Sequence, residues 1–537
     1  MKKLIYTTLL AGCTLLCGCE NDFDAKIYGV LSTTNFPATE SDYEAYMMDC
    51  YVPFTINWGY SFGSAWQHNF YVPEGGLYRM LDFTSDTQSR YMGTWGTDWT
   101  NMSVANFETL KLVGRGSGGS PNHFEKIRDV TRFTKIIGDL EKADPGIFSG
   151  NRQKELIGEA RLLRALMMYY LGQFYGPVPV IVDPELCSDA EALARLERPS
   201  LEDYTRYITE DLEYACANMV ENQSEGGRYN ADYARVVLMR HYLNEGYHVD
   251  GYYAKAAALK GQLTGHYSLY LGGQNPYAEQ FYSANDGNVE SIMAVQCTGS
   301  ATGSGTQGNM NAFFYYAYPW ACGSTAVNGQ VEAIPSGVAG WDQIFAIDPA
   351  YFATFEDGDL RKETIITSYY NKNYDRIVDS NDLGDVWAGY FINKYPFDTP
   401  TSYQSNDIPL ARWADVLLLH AEAVTRATGS VSAEAVAEIN EIRHRAGLAD
   451  LSADKTASAA AFLDAILEES GHETFCEGHR KTDLIRFGQY YTRLSAMGHT
   501  PSSEYIPLPD YAVDQAAESG YVLDQYFTTS NYDGPKK

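Results

Sequence analysis

The amino-acid sequence predicts a mainly α fold: a tetratricopeptide-like superhelix of helical hairpins, interrupted by loop-rich insertions that carry the ligand surface. Three observations predict it. Apolar residues recur at helical spacing through a series of paired segments. Gly and Pro stops close the segments at short intervals. Two other stretches, 54–122 and 266–405, are rich in Gly, Ser, Thr, Asn, Tyr and Trp and hold only short apolar runs.

The helical segments follow in order. In His123–Ala143 one stripe holds Ile127, Val130, Phe133, Ile136, Ile137 and Leu140, and Pro145-Gly146 ends it. Lys154–Tyr175 is apolar nearly all round, which makes it central, and Gly176-Pro177 stops it. Ser200 caps the segment to Met219, with Glu202 and Asp203 in its first turn facing the positive end of the helix dipole. Asn230–Asn244 pairs with Gly251–Leu263, and Ala411–Ala427 with Ser432–Arg445. Ala459–Glu469 and Glu473–Tyr491 complete the series. Stacked hairpins of this kind make a curved scaffold. The scaffold is therefore placed at 123–265 and 406–491, within a domain of 41–537, with insertions at 54–122 and 266–405. Long irregular segments held on a frame are where binding residues collect.

The chain begins MKKLIYTTLLAGCTLLCGCENDFD. Lys2 and Lys3 precede an apolar stretch, Leu4–Leu16, too short to span a bilayer, and Leu16-Cys17-Gly18-Cys19 closes it. This layout resembles a bacterial lipobox, which implies a signal peptide at 1–18 and lipidation at Cys19. An acidic tether, 19–40, carries Glu20, Asp22 and Asp24 and resembles the signal that sends lipoproteins of Bacteroidota to the cell exterior. The formal net charge of −29 repels nucleic acid and anionic lipid, leaving the lipid as the expected membrane contact. Beyond the export region, Cys50, Cys187, Cys216, Cys297, Cys322 and Cys476 form no CxxC pair, so neither a zinc pattern nor a disulfide scaffold is indicated.

Four segments, in order, carry a family resemblance. The first is Gly158-Glu159-Ala160-Arg161-Leu162-Leu163-Arg164-Ala165, running to Tyr175-Gly176-Pro177-Val178-Pro179. The second is Ile408-Pro409-Leu410-Ala411-Arg412-Trp413-Ala414-Asp415-Val416-Leu417-Leu418. The third joins Ile439–Gly447 to Cys476-Glu477-Gly478-His479-Arg480-Lys481-Thr482-Asp483-Leu484-Ile485-Arg486-Phe487-Gly488. The fourth is Tyr505-Ile506-Pro507-Leu508-Pro509. Together they resemble the SusD/RagB family of outer-membrane nutrient-binding lipoproteins. Ser470 and Lys481 depart from it, standing where the family often has Arg and Trp. The resemblance implies a surface glycan-binding protein that serves a SusC-like TonB-dependent outer-membrane transporter. RagB-like peptide binding is the alternative, and a glycoside hydrolase the third reading.

Arg161, Arg164, Arg412, Arg480 and Arg486 lie on apolar helices, as do Glu159, Asp415, Glu422 and Asp483. A charge taken out of water must be paired, so these residues are expected to form interhelical bridges, with Asp415 or a neighbouring-helix carboxylate the partner of Arg412. There is no HExxH, GxSxG or Walker loop. Neither catalysis nor a cofactor is expected. Asp379, Asn381, Asp382 and Asp385 resemble part of a calcium loop without its distal Glu; polar turn chemistry accounts for them, and a looser structural Ca2+ site stays open. The ligand candidates are aromatic and polar residues of the insertions: Arg79, Trp95, Trp99 and Asn101 in the first, Tyr316, Trp320 and Trp341 in the second. Aromatic planes cover the apolar face of a sugar ring while Asn, Asp and Arg take its hydroxyls. For the N-terminus, Cys19→Ala is expected to end palmitate labelling and move the protein from the membrane to the soluble fraction. Unchanged labelling would contradict the lipobox.

Overall fold

A computed structural model describes residues 36–55, 69–91, 93, 96–107, 123–221, 227–263, 265, 267–299, 309–319, 322–324, 343–371, 377–379, 389–399 and 404–525. Cys19, Trp95, Trp320, Trp341 and the loop 380–388 lie outside the described residues.

The main helices are α1 (Glu40–Met47), α2 (Thr97–Ser103), α3 (Ile127–Lys142), α4 (Arg152–Tyr175), α5 (Leu201–Asn218), α6 (Ala231–Glu245), α7 (Tyr252–Leu259), α8 (Phe313–Ala317), α9 (Trp413–Thr428), α10 (Ala433–Arg445), α11 (Ala459–Thr474), α12 (Arg480–Arg486), α13 (Tyr490–Ala496) and α14 (Asp510–Glu518). Helices α3 to α7 pack each on the next, and α9 packs on α7, so the scaffold is continuous across the second insertion. Ser200, Asn230, Ser432 and Ser458 each accept a backbone N–H in the first turn of the helix that follows, satisfying a donor that helix cannot pair itself.

Helix α4 is buried on nearly every face. A Cβ on its Gly158 would lie 2.9 Å from Met219 Cγ, and one on Gly172 3.0 Å from Tyr204 Cε1. A glycine within a helix costs about 0.5–1 kcal/mol. Here it lets α4 and α5 approach and bury a continuous apolar face. Arg164 of α4 donates to both oxygens of Asp211 on α5 at 2.7 and 2.8 Å, and to Thr134 Oγ1 on α3 at 2.9 Å.

Among the described residues the second insertion contributes strands to three small sheets. Strand β1 (Ser291–Val295) pairs antiparallel with β8 (Ile408–Arg412). The second sheet is β2 (Cys322–Ser324), β5 (Ser368–Asn371) and β6 (Ile377–Asp379); the third is β3 (Ala346–Ile347), β7 (Tyr390–Ile392) and β4 (Ile365–Ile366).

Where these elements meet lies a charged core. Arg412, at the end of β8, reaches Glu290 at 2.7 Å, Glu473 at 2.9 Å and Glu477 at 2.6 Å. Arg445 binds Glu290 at 3.0 Å and also Glu473. Arg361 binds Asp359 at 2.8 Å and Glu469 at 2.6 Å, and Lys394 binds Glu477 at 2.6 Å. All these groups are buried. Burial alone would raise the Glu473 carboxyl, but Arg445, Arg412 and Arg361 overcome it and hold that carboxyl well below the usual range. The expected bridges of Arg480 and Arg486 are present, to Asp86 at 2.7 Å and to Glu422 at 2.8 Å.

Of the two partners expected for Arg412, the neighbouring-helix carboxylate makes the side-chain pair, in Glu473, while Asp415 accepts the Arg412 backbone N–H at 2.7 Å as a helix cap and pairs with Arg240 at 2.9 Å. One expectation is corrected. The helix expected over Glu473–Tyr491 is broken into the end of α11, then α12 and α13. Cys476 and Gly478 take positive φ of 65° and 80°, and Asp82 accepts the N–H groups of Gly478, His479 and Arg480 at 2.8, 3.1 and 3.0 Å. A carboxylate from the first insertion thereby supplies the start of α12.

Lys481 on α12 is fully buried, its Nζ 4.8 Å from the Phe107 ring and 5.8 Å from that of Tyr490, and that Nζ has no hydrogen-bond partner among the described residues. Burial pushes its pKa down to about 7 against the opposing field of Glu504.

Two predictions follow from these groups. Arg412→Ala leaves three buried carboxylates short of charge, and breaking such a pair costs about 3–5 kcal/mol, read as a lower melting temperature; an unaltered melting curve would contradict the assignment. Lys481 binds its proton more tightly in the unfolded chain, so its cost is full below pH about 7 and fades as pH rises towards the ordinary lysine value of 10.5. Lys481→Met should therefore stabilise the fold by a few kcal/mol at neutral pH, with a gain that shrinks by pH ~10. A pH-independent gain would show that packing alone is responsible.

Candidate functional site

The two insertions, far apart in sequence, meet in one aromatic cluster. From the first come the π-helical turn Tyr78–Asp82 and α2; from the second come α8 and Phe345, which leads into β3. Phe345 is the hub. Its ring centroid lies 4.4 Å from Tyr78, 5.4 Å from Phe83, 6.0 Å from Phe313, 6.1 Å from Tyr316 and 6.4 Å from Trp99. Offset and edge-on pairs of this kind add about 0.5–1.5 kcal/mol each beyond the area they bury. Backbone bonds run alongside: Ser89 N–H donates to Ala346 O at 2.9 Å and Asp348 N–H to Thr87 O at 3.0 Å.

The polar partners are equally fixed. The Arg79 guanidinium carbon stands 3.4 Å from the Trp99 ring centroid, over its face, and Nη1 donates to Glu74 O at 3.3 Å. Burial pushes the Arg79 pKa down to about 9, with Glu74 and Asp98 opposing the shift. Tyr316 OH donates to Glu74 Oε2 at 2.7 Å. Arg480 clamps Asp86 through both oxygens, at 2.7 and 2.8 Å, and ties the cluster to the helical scaffold. Burial raises Asp82 to about pH 6, against the backbone N–H groups of Gly478 and Arg480 that favour its charged form.

This geometry corrects the roles expected for three residues. Trp99, Arg79 and Tyr316 are 0%, 1% and 0% exposed. One face of Trp99 is covered by Arg79, and Phe83 meets the ring at an interplanar angle of 70°. These side chains form the bed on which the surface rests; they are not open stacking planes. Asn101, by contrast, stays partly exposed, and its carbonyl accepts the N–H of Val104 at 3.3 Å and of Asn106 at 2.9 Å, turning the chain out of α2. Asp98, Thr100 and Tyr315 are partly exposed beside it in sequence or across the cluster, and Thr97 is exposed. Trp95 precedes α2 by two residues and Trp320 follows Tyr318 by two; both lie outside the described residues.

Sequence reasoning missed Glu74, Asp82 and Phe345. Each acts across several hundred residues, as in the Glu74–Tyr316 bond, and no local pattern marks that. The Glu74 carboxylate is 2% exposed and engaged by Tyr316, so it is committed to the bed and does not face an open cleft. Asp359 caps the turn at Leu360–Thr364 and neutralises Arg361.

A separate cleft of about 930 Å3 lies on the scaffold, between α3, α5, α14 and the strap 177–199. Phe124, Leu186, Leu193, Leu196, Tyr207 and Tyr511 line it, and Leu186 and Leu193 are exposed. Among the described residues no helix is long and apolar enough to cross a membrane.

Comparison with known proteins gives a consistent result. A model of the SusD family matches residues 283–527. A SusD-like protein of Bacteroides ovatus is 31% identical over 204 residues, covering 37% of this chain and 36% of that protein. The starch-binding protein SusD of Bacteroides thetaiotaomicron is 26% identical over 413 residues, 68% of this chain and 69% of that protein. The chain thus spans about a third of the first relative and about two thirds of the second. In structure, surface glycan-binding protein A from Bacteroides thetaiotaomicron, in complex with laminarihexaose, superposes with a TM-score of 0.68 at 17% identity, over 91% of this chain and all of that one. That likeness concerns the fold.

Proposed function

Because this chain belongs to the SusD/RagB family, we propose that it is a cell-surface glycan-binding protein that captures an oligosaccharide and delivers it to a SusC-like TonB-dependent transporter. The observation that carries the reading is the meeting of the two insertions. They build a rigid aromatic bed whose rim offers partly exposed Asp98, Thr100, Asn101 and Tyr315. A glycan presents alternating apolar faces and hydroxyl edges, and such a rim supplies donors and acceptors at fixed spacing above an immobile support. Relatives are named for starch binding and for surface glycan binding, and they are binding proteins. Absence of turnover belongs to the same proposal, as does anchoring at the outer membrane through lipid on Cys19.

On this reading Trp95, Trp320 and Trp341 are the stacking platforms, Asn101 is a polar contact, and the buried Arg79, Trp99 and Tyr316 are structural support. Each stacked ring contributes little, so affinity lies between micromolar and millimolar, about −8 to −4 kcal/mol. The contacts are apolar and hydrogen-bonded, so added salt changes affinity little.

One observation favours peptide capture as a second reading. The scaffold cleft has apolar walls with exposed Leu186 and Leu193 and a charged rim that includes Arg128, Glu191 and Arg195. An extended peptide uses such mixed pockets.

Calorimetry separates these roles. Against a glucan oligosaccharide that binds the wild type, Trp320→Ala and Trp95→Ala should each weaken binding at least tenfold with an unchanged melting temperature. Trp99→Ala should lower the melting temperature, since truncating a buried Trp costs about 3–5 kcal/mol. Full affinity in both Trp320→Ala and Trp95→Ala would move the platform elsewhere.

A further inference from the structure

Away from both sites, three metal-ligating side chains converge at a helix junction. Glu434 and Glu438 stand one turn apart on α10, and so share a face. His420 projects from α9 towards them. One ligand atom from each lies within 4.8 Å of the other two. His420 Nδ1 is 2.8 and 2.9 Å from the two oxygens of Glu438. The Glu438 side chain is 5% exposed, while that of Glu434 is 67% exposed, so the cluster has one buried wall and one side open to water.

A cation already sits there. Lys260, in the turn after α7, places its ammonium 3.1 Å from Glu434 Oε1 and in contact with Glu438 Oε1. The two carboxylates therefore face a common positive centre supplied by the chain itself, with an imidazole nitrogen at its edge.

We propose that His420, Glu434 and Glu438 form a binding site for a divalent transition cation of the Zn2+ class, which the Lys260 ammonium fills when the metal is absent. The ligand set is mixed N and O, which suits Zn2+; Ca2+ demands six to eight oxygens. Three protein ligands leave a fourth position, and the open side supplies water for it. Bonds of about 2.0–2.1 Å set tetrahedral ligand atoms roughly 3.3 Å apart. His420 Nδ1 and the Glu438 oxygens, now 2.8 and 2.9 Å apart, must open slightly, and the exposed Glu434 side chain, once released by Lys260, swings in to meet them. His420 must offer Nδ1 as a lone pair, so its ring proton moves to Nε2, and acid weakens binding. Lys260 must withdraw into water, so the wild-type affinity is held down by its own lysine. The metal would give up the Lys260 tie to α10 and replace the His420–Glu438 hydrogen bond between α9 and α10 with shared coordination.

The test uses the full chain after chelator treatment, titrated with Zn2+, Mn2+ and Ca2+ by calorimetry and followed by thermal unfolding. One equivalent of Zn2+ should bind and raise the melting temperature, with Ca2+ inert. Lys260→Gln should bind Zn2+ at least tenfold more tightly. His420→Gln should lose the stoichiometric site. Glu434→Gln, at an exposed position that leaves folding untouched, should weaken it at least tenfold. No stoichiometric Zn2+ binding by the wild type and Lys260→Gln alike would overturn the proposal. So would binding that survives both His420→Gln and Glu434→Gln, since the free cysteines or other histidines would then hold the metal.

Discussion

The fold depends on one constraint: the charge of Glu473 must be neutralised inside the protein. That carboxylate lies among Arg412, Arg445 and Arg361, which arrive from β8, from α10 and from the turn at Leu360–Thr364. In a low-dielectric interior a missing partner costs far more than a surface ion pair ever contributes. The position of β8 therefore fixes the position of α10, and both fix the second insertion, because Glu290 on the approach to β1 completes the set. Apolar packing would allow these elements to slide; the guanidinium forks do not. The same device recurs at Arg164–Asp211, Arg480–Asp86 and Arg486–Glu422, each joining separate elements.

Through these clamps the scaffold governs the insertions. Asp82 and Asp86 leave the first insertion to start α12 and to hold Arg480. The aromatic bed around Phe345 is pinned at its base to α12, while Asp98, Thr100, Asn101 and Tyr315 at its rim are partly exposed. A loop-rich region gains in this way the rigidity that weak, multi-point recognition of a hydroxyl-rich ligand requires, since disorder lost on binding would subtract from an already small affinity.

The helical frame was legible in the sequence because its signal is local. The stripe in His123–Ala143, the all-round apolar Lys154–Tyr175 and the serine caps all reappear in the structure within a few residues. Legible too was that Arg164, Arg480 and Arg486 must be paired. What the sequence could not convey is pairing at a distance. Arg412 finds Glu290 and Glu473, 122 and 61 residues away, while nearby Asp415 serves Arg240 instead. The break between α11 and α12 was hidden for the same reason, since Asp82, 396 residues distant from Gly478, stabilises it. In the insertions, aromatic content signalled importance without separating bed from platform. Trp99 and Asn101 are near neighbours in sequence, yet one is covered by Arg79 and the other reaches the surface. Depth depends on the partner insertion, and nothing in either stretch encodes it locally.

The central claim is that ligand is held on the surface built by the two insertions and supported by the charged core. Hydrogen–deuterium exchange of the full chain, with and without a saturating glucan oligosaccharide, tests it most directly. The account predicts slowed exchange confined to 79–107 and 309–345, with the scaffold cleft unchanged. Slowed exchange along the strap 177–199 and around Tyr511, with none in the insertions, would contradict it.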